Sequence, residues 1–496
     1  MSAIRLLLPK SRLLRWYERL IELLIIDRHS VGVELCAASE TPGAALQLVE
    51  QLETLLYNRA GAGSLGPATP GEWSSRPIDA ADIVVDLTGA SRPREGAIAP
   101  LYDGAFGDLA RDAAILEGRA PEVVLAVSEP GGLAIFAQGR PAVERPQVLA
   151  SGRSAVADCL TTLIRTVARD PVSRAAPGTI RPTAGAGRPL SFLTHGVASA
   201  ARRRLTRLVS LEGHWRIGWR SLNGAPSAID ALAWPKGDPW RWLSDDRRRF
   251  FADPFLFREE GTTYVFCEEF PYATGKGVIS VFTLDEVGRP SAPRVVLERP
   301  CHLSYPHIFR HDGRIWMMPE TSANRTLELY VADAFPDRWT LHSVLLSDLS
   351  VSDATAFEHG GRWWLTAATN EPGASTWDSL SLFSAASPIA GWTRCGDLPV
   401  LVDASAARPA GQVVRRDGVL WRPAQDCTRG YGSGLALCRI DEIGEGVLRQ
   451  SVVRRLAPPD GALRQGVHTL NSDGGFEIID AVGAVSRAPW LEGEAA

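Results

Sequence analysis

Residues 252–269 read ADPFLFREEGTTYVFCEE: a short apolar strand at 252–257, a Glu-Gly turn, and a second strand at 263–269. The same grammar returns at 304–320 as SYPHIF, a His-Asp-Gly turn and RIWMMPE, and at 352–368 as SDATAF, EHGG and RWWLTAA. It returns again at 409–426 as PAGQVV, RRDG and VLWRPAQD; a weaker fifth copy joins GVHTL at 466–470 through NSDGG to FEIIDA at 476–481. Aligned on Asp253, the copies put Asp253, Tyr305, Asp353, Ala410 and, loosely, Gly466 in one column, at offsets of 52, 48, 57 and 56 residues. A strand–turn–strand unit recurring about every 50 residues is the period of a four-stranded propeller blade. Five copies predict a five-bladed β-propeller over residues 205–490. The strand-like segment Trp215–Leu222 is expected to supply the missing outer strand that closes the fifth blade.

Upstream the grammar differs. Residues 1–170 alternate apolar strand-like runs (Ile4–Leu8, Val31–Cys36, Asp82–Leu87, Val123–Val127, Leu133–Phe136) with helical spacing at Leu13–Ile26, Ala44–Leu56 and Phe106–Leu116. Alternation at that spacing predicts an α/β domain with a mostly parallel sheet. The Pro-, Gly- and Ala-rich stretch that follows reads as a linker over 171–204. The fold class is thus multidomain, α/β followed by all-β.

Composition narrows the function classes. With 496 residues, 45% hydrophobic, 22% charged and a net charge of −4, the chain is an ordinary folded protein without the basic footprint of a nucleic-acid binder. The apolar run nearest the N-terminus, Leu23 to Ile26, is far short of the roughly 20 residues a spanning helix needs, and no secretory pattern opens the chain. Seven cysteines without a CxxC pair read as reduced thiols, with no zinc site and a cytoplasmic location. The residues name no cofactor, and they leave oligomeric state and peripheral membrane contact open.

In a propeller the first strand of each blade lines the axis. That places Asp253, Tyr305, His307, Asp353, Gln412 and His468 around one channel, with Glu268, Glu320, Ala367 and Gln425 at matching ends of the second strands and Glu269 and Asp426 adjacent. Converging carboxylates raise one another's pKa, and such pairs suit general acid–base chemistry. Glycosidic chemistry needs two of them across the scissile bond. Asp253 and Asp353 fit a base or nucleophile and its supporting group; Glu320 or Glu269 is the candidate proton donor. Arg408 and Arg422 could hold a phosphate or carboxylate of an activated sugar. Each has a plainer reading too: Asp at a strand start caps turns, Trp316, Trp363, Trp364 and Trp421 fill blade cores as readily as they stack on sugars, and His468 is a structural hydrogen-bonding group or an ion ligand.

The repeat motifs ADPFLF with EE, SYPHIF with PET, SDATAF, and RPAGQ with RPAQDC resemble the propeller that begins the plant glucosamine inositolphosphorylceramide transferases, itself similar to the arabinanase, levansucrase and invertase propellers. The resemblance implies a carbohydrate-active fold, with Asp253 as base or nucleophile and Asp353 as its supporting carboxylate. Hydrolases of the arabinanase type carry their acid Glu at the start of blade four, where this chain has Ala410 and Gly411. The N-terminal half resembles the formyltransferase fold from DIVVDLTG through Leu101-Tyr102-Asp103-Gly104 to PEVVLAV, yet the stretch APLYDGAFGD lacks the Asn and His such enzymes use. A degenerate domain is expected there, with Asp103 its one acidic group of interest. The sequence thus points to glycosyl transfer or hydrolysis in surface-glycan or glycolipid metabolism, acting on a glycan or activated sugar. Two alternatives stand beside it: a non-catalytic glycan-binding or assembly module, and formyl or acyl transfer to an amino sugar.

Overall fold

A computed structural model describes residues 1–37, 43–57, 65–78, 80–172, 188–234, 239–244, 246–373, 375–459, 465–473 and 475–486. The chain divides into two compact units, the first built mainly from Met1–Arg202 and the second from most of the chain beyond it, starting at Arg203.

In the first unit, β1 (Ala3–Pro9) is the centre of a parallel sheet, flanked by β2 (Ser30–Cys36) and β3 (Ile83–Asp86). Helix α1 (Arg15–Ile26) follows β1, and its buried face (Trp16, Tyr17, Leu20, Ile21, Leu24) has the i, i+3, i+4 spacing of an amphipathic helix. Helix α2 (Ala44–Tyr57) follows β2. The expected mostly parallel sheet stops there: β4 (Ala99–Tyr102), β5 (Ala105–Phe106), β6 (Val123–Glu129) and β7 (Gly132–Gly139) form a separate antiparallel sheet. Helix α3 (Asp108–Leu116) and the long α4 (Leu149–Arg169) complete the unit. Asp103 sits in a left-handed turn (φ 49°), its carboxylate accepting from the Glu122 amide at 2.9 Å and paired with Arg119. Residues 189–204, read as linker, belong to helix α5 (Pro189–Val209); 173–187 lie outside the described residues. No described helix is long and apolar enough to cross a membrane.

The second unit is a five-bladed propeller. Four blades are antiparallel meanders in chain order: Arg249–Glu259 to Leu297, Ser304–His311 to Ser347, Val351–His359 to Arg394, and Val414–Arg416 to Leu456. The fifth combines the last two strands with the first two: Leu470–Ser472, Phe476–Ser486, Ser210–Ser221 and Arg241–Trp242. The segment around Trp215 therefore closes the ring, as its third strand; the outermost is Arg241–Trp242. Five apolar clusters lie one between each neighbouring pair of blades. Phe266 and Ile279 meet Ile308 and Met317, Leu329 meets Leu365, Leu380 meets Leu420, Leu437 meets Ile479, and Ile217 and Trp219 meet Val265 and Phe282. Five contacts for five blades is a closed ring, in which neighbours cover the faces of each blade and only short edges remain. Trp316 and Trp364 are in these clusters, and Trp363 and Trp421 pack against them, so the second-strand tryptophans are core.

Candidate functional site at the propeller axis

The inner strands of the first three blades slip register at one place. Ala252 pairs with Glu268 and Phe255 with Phe266; Ser304 pairs with Glu320 and His307 with Met318; Ser352 pairs with Ala368 and Thr355 with Thr366. Each slip is a bulge in which two residues oppose one, re-aiming the first toward the axis. Those first residues are Asp253, Tyr305 and Asp353, all with left-handed backbone (φ 51°, 44° and 54°). Such φ values strain non-glycine residues, Tyr above all, and persist only where the surroundings hold them.

Here the holding is done between blades. The Asp253 amide donates to Asp480 Oδ2 (2.9 Å), the Tyr305 amide to Asp253 Oδ2 (3.2 Å), and the Asp353 amide to Glu320 Oε2 (3.1 Å). In blade four Gly411, at φ 133°, donates its amide to the Tyr305 hydroxyl at 2.6 Å, and the Gln412 amide donates to Asn471 Oδ1 at 2.8 Å. A Cβ at Gly411 would lie 2.2 Å from the Leu470 carbonyl, so this approach requires glycine. Asp253 is therefore no local turn cap: its carboxylate ties blade one to blade two, and its Oδ1 accepts from the Thr469 hydroxyl of blade five at 3.0 Å.

The register also revises the columns. Glu268, Glu320, Ala368 and, through the Pro409–Ala424 bridge, Ala424 are the equivalent second-strand positions, so Ala367 and Gln425 are each one residue out of line. In blade five Gly466 bridges Val482 and Leu470 pairs with Ile479, three residues against two between these pairs, so the slip falls among Val467, His468 and Thr469.

Around the axis the carboxylates are buried but differently engaged. Burial raises Asp253 to about 6, opposed by the charge of His468 and reinforced by Asp480. Burial also holds Asp353 above the ordinary carboxylate range, against Arg408, whose Nε donates to Asp353 Oδ2 at 2.6 Å; Gln425 Nε2 donates to the same oxygen at 2.9 Å. Glu320 is saturated, accepting from Ser322 Oγ, Ser352 Oγ and the Asp353 amide. Glu269 projects from the opposite face of its strand, to Arg249 and to Ser280 Oγ (2.6 Å), away from the axis. Glu268, its neighbour, faces inward, and burial together with Asp253, Glu320, Asp480 and Asp353 pushes its carboxyl well above the usual value. His302 accepts the Gly277 amide on Nδ1 (2.9 Å), so its proton is on Nε2, 3.4 Å from Glu268 Oε1.

Asp480, fully buried, is the hub. It accepts from the Asp253, His468 and Thr469 amides and from His468 Nδ1 at 2.6 Å. Asp480 and Asp253 raise His468, countering its burial, and its ring stacks on Trp215 with centroids 3.8 Å apart. Asp253, His468 and Asp480 each bring a ligand atom within 4.8 Å of the others, a spacing a cation could use. The protons on three amides and the imidazole already occupy the Asp480 oxygens, so the set as it stands is satisfied by hydrogen bonds.

Further down the channel His307 is buried among Phe255 and Phe309; neither ring nitrogen has a partner in normal hydrogen-bond geometry, and burial lowers it to about 4. Tyr305 plugs the axis, its hydroxyl bonded to Thr355 Oγ1 (2.9 Å). Two expected binding residues stand apart. Arg422 is buried behind the 404–408 loop, donating to the Ala406 and Ala407 carbonyls and to Gln450, and Asp426 pairs with Arg455 at 3.0 Å. Aromatic faces beside Arg408 come instead from Tyr431, 4.9 Å from its guanidinium, and Trp377, 5.5 Å from Tyr431. Neither lies in a repeat motif, so the repeat could not point to them. Asp480 was within reach: it lies in the second-strand motif FEIIDA of the weakest copy.

With this geometry in place the chain can be set beside known proteins. The solved structure of a Cellvibrio cellulosa alpha-L-arabinanase complexed with arabinohexaose aligns with 47% of this chain and 83% of its own at 15% identity and a TM-score of 0.32. Glucosamine inositolphosphorylceramide transferase 1 of Oryza sativa subsp. japonica is 30% identical over 251 residues, 47% of this chain and 34% of its own length. Its Arabidopsis thaliana namesake is 29% identical over 266 residues, 48% and 34% respectively. The chain spans about a third of the length of the curated relatives it matches. Residues 234–455, four of the five blades with part of the closing strands, match the family described as glucosamine inositolphosphorylceramide transferase 1, N-terminal.

Proposed function

We propose that the propeller binds a sugar at the end of its axis beside Arg408, Tyr431 and Trp377 and acts on a glycosidic centre there, by transfer or hydrolysis. The observation that carries this reading is the division of labour between two buried carboxyls. Asp253, raised to about 6, is mostly ionised at neutral pH and serves as base or nucleophile. Glu268, held well above its ordinary value, keeps its proton and serves as acid. Glu268 replaces Glu320 and Glu269 in that role, because Glu320 is engaged by Ser322 in its own blade and by Ser352 and the Asp353 amide of the next, and Glu269 faces away. Asp353 and Arg408 position the sugar, the guanidinium offering its charge to a phosphate or carboxylate of the donor. The names of the plant relatives suggest a glucosamine donor and an inositolphosphorylceramide-like acceptor. The N-terminal unit, read as a degenerate formyltransferase-like domain, carries out no formyl transfer in this reading.

A second reading, a glycan-binding module without turnover, is favoured by one observation: Asp253, Glu320 and Asp353 all hold backbone or Arg408 hydrogen bonds. Mass-spectrometric turnover against pooled nucleotide sugars, amino sugars and aryl glycosides separates the two. A one-sugar mass shift or a freed aglycone that is lost in both Asp253→Asn and Glu268→Gln supports catalysis. Glycan binding without any product in the parent protein supports the module.

A further inference from the structure

Helix α5 carries a surface unlike the rest of the chain. Between Asp170 and Glu212 there is no acidic residue and no lysine, but there are seven arginines, in a protein whose net charge is −4. At 100° per residue, Leu190, Leu193, Val197, Ala201, Leu205 and Leu208 fall on one stripe, spaced 3, 4, 4, 4 and 3 residues apart. This stripe does not face a core. Leu190 is 58% exposed, Val197 55%, Leu205 67% and Leu208 74%, while the opposite face, Phe192 and Gly196, is the buried one. Arg204 borders the stripe, and Arg202 and Arg207 lie on either flank.

The last turn of α5 adds a second feature. Arg207, Arg247, Arg248 and Tyr272 line an open basin of about 730 Å³ beside Leu211. Exposed leucines in line, arginines along both flanks and no acidic residue within the helix itself make the profile of a helix that lies in a lipid–water interface. Its leucines enter the acyl boundary and its guanidinium groups reach phosphate headgroups by snorkelling. An anionic bilayer matches both the positive flanks and the apolar line of this helix.

We infer that α5 docks the protein on the surface of membranes bearing anionic phospholipids, with the Arg207–Arg247–Arg248 basin receiving a headgroup phosphate. The inference stands on the helix and the basin and does not rest on the proposed sugar chemistry. The test is co-sedimentation of the full chain with large vesicles of phosphatidylcholine alone or mixed with phosphatidylglycerol. Binding is expected only to the mixed vesicles and is expected to weaken as salt rises. Leu205→Gln with Leu208→Gln, which removes exposed side chains and so spares the fold, should weaken partitioning by about tenfold or more. Arg204→Gln with Arg248→Gln should cost on the order of 30-fold, from about 1 kcal/mol for each charge at such a surface. Leu190→Gln with Val197→Gln provides a second pair at the other end of the stripe. Failure of the parent to bind anionic vesicles, or undiminished binding by all three double variants, overturns the inference. So does lipid-free dimerisation that the leucine variants abolish, because the stripe would then be covered by a second copy of the chain.

Discussion

Asp480→Asn should unfold the propeller far more readily than its conservative chemistry suggests. The Asp480 carboxylate receives four donors: the amides of His468 and Thr469 on Oδ1, and the Asp253 amide and His468 Nδ1 on Oδ2. An asparagine accepts on one atom only. Its best orientation keeps the oxygen toward the two amides and turns Nδ2 toward His468, which can accept if it gives up its proton. The Asp253 amide is then left buried without an acceptor, at a residue whose φ of 51° depends on that bond. Losing a hydrogen bond to a charged acceptor costs about 1.5–3 kcal/mol, and stranding a buried donor about 1–3 more. A loss of about 3–5 kcal/mol is expected.

Asp253→Asn is the control. Its oxygen can keep the Tyr305 amide, and its new N–H can donate to Thr469, whose hydroxyl reverses to accept. That change should cost less than about 1 kcal/mol. Urea unfolding followed by tryptophan emission reports on the propeller, because thirteen of the fifteen tryptophans lie at or beyond residue 215. The Asp480→Asn midpoint should fall by more than about 1 M while that of Asp253→Asn barely moves. Equal midpoints for the two variants, or an Asp480→Asn midpoint like the parent's, would refute the inter-blade relay as the support of the strained column.

Stability should fall as pH rises from about 6.5 to 8. Glu268 and Asp353 have folded pKa values above their unfolded ones, so the folded state holds protons that the unfolded chain has already released, and that advantage drains as pH climbs. His468, also raised, acts in the same direction, while His307, lowered to about 4, has opposite sign but is spent above its unfolded value. Thermal unfolding across that window should show the slope, and Glu268→Gln should flatten it; a flat parent profile would show that Glu268 is not held protonated. At about pH 9, above the raised pKa of Asp353 at about 8, Arg408→Met should cost about 3–5 kcal/mol by leaving that charge buried without its partner. Adding Asp353→Asn should recover much of that loss, as the amide can still accept from Gln425; equal midpoints for single and double variants would remove the ion pair from the account.

Much of the architecture was legible in the residues. The 50-residue repeat located all five blades and the closing strand, because each blade must bury both faces of a short sheet and so repeats its apolar pattern. Upstream, β4, β5 and the long α4 carried no periodic signal, while β1, β2, β3, β6 and β7 and helices α1 to α3 appeared where their periodicity put them. The antiparallel pairing of β4 to β7 did not, since alternation along a chain does not state which strands become neighbours.

The site was legible as a list and not as an arrangement. Asp253, Tyr305 and Asp353 share a column because a bulge of two residues against one recurs in three blades. The sequence determined by itself the blade count, the ring of carboxylates and the residues at the head of each inner strand, since these follow from local pattern repeated. Only the tertiary structure decided what each carboxylate does. Strand alternation sends Glu268 inward and Glu269 outward from adjacent positions. Closure brings Asp480 of the last blade onto the amide of Asp253 in the first, 227 residues away in the chain. Hydrogen bonds and burial depend on what lies across the axis, and no local stretch of sequence contains the residues on the other side.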